Sequence, residues 1–174
     1  LASTIIYSIG VCMMFGFSAL YHRVDWRSRV LIIMRRLDHS AIFVMIAGSF
    51  TPICLLVLPG NTGIQLLFII WIIAGIGILQ TVLFTETPRL IRAGIYLVAG
   101  YMAIPYLSVM FSVMSMTNFI LTAASGTIYT VGAIGYGFQF PDISPKYFGY
   151  HEFFHILVSI AAVLHFIVIY SIVG

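Results

Sequence analysis

Six stretches in which nearly every position is apolar organise this chain, covering residues 3–22, 38–58, 63–84, 91–114, 118–138 and 151–173. Short breaks holding arginine, proline, glycine or asparagine separate them. Inside the stretches the hydrophobic positions do not alternate; residues 66–73, for example, are apolar on every face. Strands of a membrane barrel alternate apolar and polar positions over about 10 residues, so the pattern predicts helices. Each stretch has about the 20 residues needed to cross a hydrocarbon core of about 30 Å. Pro52 and Pro105 fall inside the second and fourth stretches. Each removes a backbone hydrogen bond, which predicts a kink that neighbouring helices must cover. Gly75, Gly77, Gly132, Gly135 and Gly137 read as places where helix backbones approach closely.

Composition excludes a water-soluble fold. Of 174 residues, 61% are hydrophobic and 7% are charged, against about 25% charged in soluble domains. The expected fold is an all-α integral membrane protein, one transmembrane helical domain over residues 1–174 with six helices. The net charge of +3 rests on too few and too local basic residues to imply nucleic acid. Cys12 and Cys54 stand singly in apolar runs, without the spacing of a disulfide framework or a thiolate zinc site. The chain opens on Leu1 within an apolar run longer than a signal-peptide core, which reads as a fragment whose start is missing.

Charge placement orients the helices. Arg23, Arg27, Arg29, Arg35 and Arg36 lie in the first connection, Arg89 and Arg92 in the third, and Lys146 in the fifth, while the second and fourth connections hold no Lys or Arg. The positive-inside rule assigns the basic side to the cytoplasm and the C-terminus to the outside. Trp26, Val30, Leu31 and Ile33 give the first connection the makings of a short amphipathic segment lying at the interface as a lid or anchor.

Ionisable groups at or within a membrane boundary are costly and mark function. His22 ends the first stretch, Asp38 and His39 begin the second, and His151, Glu152 and His155 begin the last. The orientation brings all of them to one depth near the cytoplasmic leaflet. His151 and His155, four apart, share a helix face about 6 Å apart along the axis, and His22 can supply a third nitrogen. Three protein ligands with one open position is the pattern of a catalytic zinc site. Asp38 is the natural group to hold or deprotonate a water there. Ser18, one turn before His22 on the same face, can hydrogen-bond that water or a substrate oxygen. The blander reading has the histidines solvated among headgroups and Asp38 neutralising nearby arginines. His39 points away from Asp38 and suits an interfacial role, and His165, near mid-membrane, suits a hydrogen bond to another helix. The letters HExxH at 151–155 match a metalloprotease motif, but Glu152 lies about 100° from His151 around the helix, so an intramembrane protease is a minor alternative.

These residues resemble a known family. The segments Ser18-Ala19-Leu20-Tyr21-His22, Leu37-Asp38-His39-Ser40-Ala41-Ile42 with Ala47-Gly48-Ser49-Phe50-Thr51-Pro52, and Phe148-Gly149-Tyr150-His151-Glu152-Phe153-Phe154-His155 resemble the hemolysin III family. That family is the bacterial branch of the progestin and adipoQ receptor group, related to alkaline ceramidases. The resemblance covers essentially the whole chain in motif order. It implies a seven-helix bundle in the bacterial plasma membrane, with zinc held by His22, His151 and His155 and with Asp38 and Ser18 beside the metal's water. One helix would then precede residue 3, and its polar residues are not in this sequence.

Three functions follow as expectations. The leading one is a zinc-dependent hydrolase of a lipid amide or ester, linked to membrane lipid homeostasis. A zinc-stabilised, non-catalytic sensor or receptor-like regulator is the alternative. A pore ranks below both, because the outer halves of the second, third, fourth and sixth stretches hold no Asp, Glu, Lys or Arg. Membrane lipids are the expected environment and substrate; the oligomeric state is left open.

Overall fold

The computed structural model describes residues 1–84, 86–144 and 148–174; Lys146, used above for orientation, lies outside the described residues. The chain forms two compact units, Leu1–Thr87 and Pro88–Gly174. Among the described residues six spans are long and apolar enough to cross a membrane, and the expectation of an all-α integral membrane fold holds.

The first unit contains α1 (Ala2–Arg23), α2 (Ser28–Leu56) and α3 (Gly60–Leu83). Between α1 and α2, small residues replace the usual ridges. A Cβ on Gly10 would meet Val44 and Met45, and one on Gly48 would meet Ile6 and Tyr7. Without water there is no hydrophobic drive between membrane helices, so such close backbone approach and the dispersion it allows hold them together. The buried positions Ser3, Tyr7, Gly10 and Met14 form the stripe of α1 concerned, with partly buried Ser18 one turn further along. Between α2 and α3 the glycines serve again: Gly63 lies against the Cys54 carbonyl and Gly77 against the Phe43 ring.

One expectation needs correction. The segment after α1 is not a separate interfacial piece, because α2 begins at Ser28 and carries Val30, Leu31 and Ile33 in its first turns. Arginine, isoleucine and leucine are all compatible with helix, and nothing between Ser28 and Asp38 stops it. Trp26 remains in the connection and donates its Nε1–H to the Leu20 carbonyl at 2.9 Å. The two prolines also behave differently. α2 runs unbroken through Pro52, which is fully buried. Beside it Thr51 donates to the Ala47 carbonyl at 2.7 Å and accepts from Trp71 Nε1 of α3 at 3.1 Å. The carbonyl that loses its donor to Pro52 is that of Gly48, four residues earlier.

The second unit contains α4 (Arg89–Tyr101), a 3₁₀ turn (Ile104–Tyr106), α5 (Leu107–Val113), α6 (Met116–Phe138) and α7 (Tyr150–Val173). Here a 3₁₀ turn containing Pro105 divides the span Arg89–Val113 into α4 and α5. Its neighbour Ile104 is half exposed, whereas Pro52 is fully buried. Ser115 caps α6, accepting from Asn118 N–H at 3.2 Å. α6 and α7 run antiparallel, tied by Asn118 Nδ2 to Ser171 Oγ at 3.2 Å and by Ser125 Oγ to His165 Nδ1 at 3.3 Å. As the sequence suggested, His165 is buried and bonds another helix. Ser125 also lies 2.9 Å from the Thr122 carbonyl, to which it donates.

Candidate metal centre

His151 and His155 occupy the first two turns of α7, and their Nε2 atoms are 3.0 Å apart. A neutral pair at that distance shares one N–H···N hydrogen bond. The same spacing suits a cation: two nitrogens, each about 2.0–2.1 Å from a tetrahedral zinc, stand about 3.3 Å apart. The pair therefore needs a shift of only a few tenths of an ångström to chelate, and its donor chemistry fits zinc. The i, i+4 relation on one helix face creates this geometry.

Local structure keeps the neighbouring carboxylate out of the pair. Glu152 stands at the third position of α7 and accepts the Gly149 N–H at 2.9 Å. That is the return half of a capping box, which satisfies a helix-end donor. As a cap, Glu152 is held at the helix start instead of over the imidazoles, and this weighs against the protease reading of HExxH.

Aromatic side chains frame the pair. The Tyr136 ring lies 5.8 Å from that of His151 and 5.2 Å from that of Phe154, and Phe154 lies 5.7 Å from His155. Tyr150 accepts a hydrogen bond from Gln139 Nε2 at 3.2 Å, and the Arg89 guanidinium sits 5.6 Å from its ring centroid. Sequence reasoning missed Tyr136. Its signal is the surrounding glycines: Gly132 lies against Leu157 and Phe154, and Gly135 against Phe140 and Phe153, so α6 comes close enough for Tyr136 to reach His151.

The other candidate residues belong to the first unit. His22 lies in the last turn of α1 and is exposed, with Ser18 one turn earlier and partly buried. Asp38 lies on α2, partly buried. Gly10 faces Val44 and Met45 while Gly48 faces Ile6 and Tyr7, a register that puts Asp38 level with residues 16–17 of α1. Met45, seven residues beyond Asp38 and so on the same face, has its Cα against Gly10. Asp38 thus lies on the flank of α2 that meets α1, level with the turn carrying Ser18. His39 is on the next helix direction, partly buried.

An all-α membrane domain with paired histidines at the start of its last helix is the class these features define. The chain belongs to the haemolysin-III related family, whose model matches residues 1–166. It is 32% identical over 136 residues to the Hemolysin-3 homolog of Bacillus subtilis (strain 168), covering 78% of this chain and 63% of the relative. Identity to Hemolysin-3 of Bacillus cereus is 34% over 131 residues, 74% of this chain and 58% of the relative. The chain thus spans about three fifths of the length of these two relatives. Over 178 residues it is 28% identical to the Adiponectin receptor protein of Drosophila melanogaster, covering 92% of this chain and 40% of the relative.

Proposed function

We propose that this chain carries the metal site of an integral membrane hydrolase that cleaves a lipid amide or ester, with zinc held by His22, His151 and His155. The observation that carries the reading is the His151–His155 pair, two Nε2 atoms 3.0 Å apart in a membrane-spanning helix. Membership of the family, and the placing of His22 at the end of α1, support His22 as the third nitrogen. When bound, zinc supplies Lewis acidity and lowers the pKa of a coordinated water to about 7.

The chain's own residues do the rest. The Asp38 carboxylate accepts a proton from water at the start of the reaction and returns it to the leaving group. The Ser18 hydroxyl donates to the carbonyl oxygen on which charge develops. Tyr136 and Phe154 hold the imidazoles in place and exclude lipid from their edges. By the positive-inside argument the site faces the cytoplasmic leaflet of the plasma membrane, where a headgroup-proximal linkage meets water.

The test is metal content and turnover. Purified wild type is expected to hold stoichiometric zinc, and His22→Ala, His151→Ala and His155→Ala to lose it. Zinc retained in any of the three would remove that residue from the site. Asp38→Asn is expected to keep zinc and fold but to lose hydrolysis of the lipid that wild type turns over.

A second reading is favoured by the Drosophila relative, whose name is that of a receptor: a regulator in which zinc ties helices together without chemistry. In that case Asp38→Asn leaves the cellular phenotype unchanged.

A further inference from the structure

Where α6 ends, large apolar side chains stand outside the packed interior. Phe138, Phe140 and Ile143 are 70%, 71% and 70% exposed. A side chain of that size forgoes about 1.5–3 kcal/mol when it stays in water instead of being covered.

The face of α6 that leads up to them is turned to lipid. Phe138 continues Val131 and Ile134, both exposed, at helical spacing. Tyr136 turns to His151 and Phe154 of α7, and Gly137 to Leu90 and Ala93 of α4. Phe138 lies about 100° beyond Gly137 and about 200° beyond Tyr136 around the helix, so the Val131–Ile134–Phe138 stripe is turned away from both neighbours. On a span that crosses the membrane, such a stripe meets acyl chains.

The connection after α6 folds back beside this stripe. Gln139 takes the left-handed conformation, and Phe140 N–H returns to the Gly135 carbonyl at 2.9 Å. The Phe140 carbonyl oxygen stands 2.6 Å from the position of a Cβ on Gly135. Gly135 is about 60° from Phe138 around the helix and about 4.5 Å further from its end. Phe140 is thereby held alongside the last turn, inside the end of the span Met116–Phe138. The charged group of the segment is drawn the other way: Asp142 Oδ1 lies 2.9 Å from the Cβ position of Gly149 at the start of α7, where the helix dipole favours negative charge. Ser144 and Phe148 exchange backbone hydrogen bonds at 2.9 and 2.7 Å, which lowers the cost of bringing this backbone near lipid.

We propose that residues 140–143 dip into the leaflet at this end of the span, with Phe140 and Ile143 among the acyl chains just below the headgroups. The lipid-facing surface of α6 then continues past the helix end, onto the chain that leads to the histidine pair.

Spin labelling of the full chain in phosphatidylcholine vesicles tests this. Phe140→Cys and Ile143→Cys are each made in a Cys12→Ser background, because Cys12 is exposed and Cys54 is buried. The attached nitroxide is read by its collisions with oxygen, which partitions into lipid, and with a nickel chelate, which stays in water. Oxygen collisions are expected to exceed nickel-chelate collisions severalfold at both positions. Nickel-chelate collisions that dominate at either position place that residue in water and overturn the insertion. Few collisions with either reagent mean that protein covers the segment, which overturns it as well. If Phe140→Cys does not fold, Ile143→Cys carries the test.

Discussion

Gly135 gives a demanding test of how closely α6 ends against the chain that leads toward the histidine pair. A methyl group at this position would stand 2.6 Å from the Phe140 carbonyl oxygen, about 0.7 Å inside the roughly 3.3 Å of a close carbon–oxygen contact. The carbonyl cannot simply yield. Phe140 N–H bonds the Gly135 carbonyl at 2.9 Å, closing the helix around Gln139 in the left-handed conformation (φ 59°, ψ 42°). Gly135→Ala is therefore expected to cost about 1–3 kcal/mol in overpacking and about 1 kcal/mol for the strained hydrogen bond, about 2–4 kcal/mol together. Gly126, on the same helix, has nothing within 4 Å of an added Cβ, and Gly126→Ala should gain about 0.5–1 kcal/mol from backbone entropy. Denaturant unfolding of the two variants in identical micelles reads the difference, about 2.5–5 kcal/mol from these two figures. If both unfold at the wild-type midpoint, the close approach at Gly135 is not present in the folded protein.

Three further outcomes follow. Thr51→Val, nearly isosteric, removes the acceptor of Trp71 Nε1 and should destabilise the first unit by about 0.6–1.7 kcal/mol, the range for hydrogen bonds between membrane helices, as read by thermal unfolding. Ser125→Ala leaves His165 Nδ1 without its partner on α6 and should cost a similar amount in the same assay; no change would mean that the contact contributes nothing. Glu152→Ala removes the Gly149 cap and should cost about 0.5–2 kcal/mol with zinc content and lipid turnover retained; abolished hydrolysis in a folded, zinc-loaded protein would restore Glu152 as a base.

The spans were legible because lipid replaces water as the solvent. An all-round apolar helix needs no buried face to be recognised, and about 20 such residues are enough. The start of α2 was not, since Arg29, Arg35 and Arg36 read as a loop in a hydropathy pattern although arginine is a good helix former. The different fates of Pro52 and Pro105 are not written in the pattern: one is fully buried, while an exposed Ile104 adjoins the other. Spacing alone was enough to predict that His151 and His155 meet. Spacing could not reveal Tyr136, whose approach depends on Gly132 and Gly135 packing against residues of the following chain. Nor could it show that Glu152 caps α7, because the helix start at Tyr150 decides that.

The interruption at Pro105 bears on how the protein meets bilayers of different thickness. An uninterrupted helix such as α7, with 24 residues, answers a thinner membrane by tilting as a whole or by thickening the bilayer around it. The span divided into α4 and α5, 13 and 7 residues, can tilt its pieces separately about the 3₁₀ turn. Mismatch costs fractions of a kcal/mol per ångström, and the 3₁₀ turn gives this span a way to meet it that a continuous helix lacks.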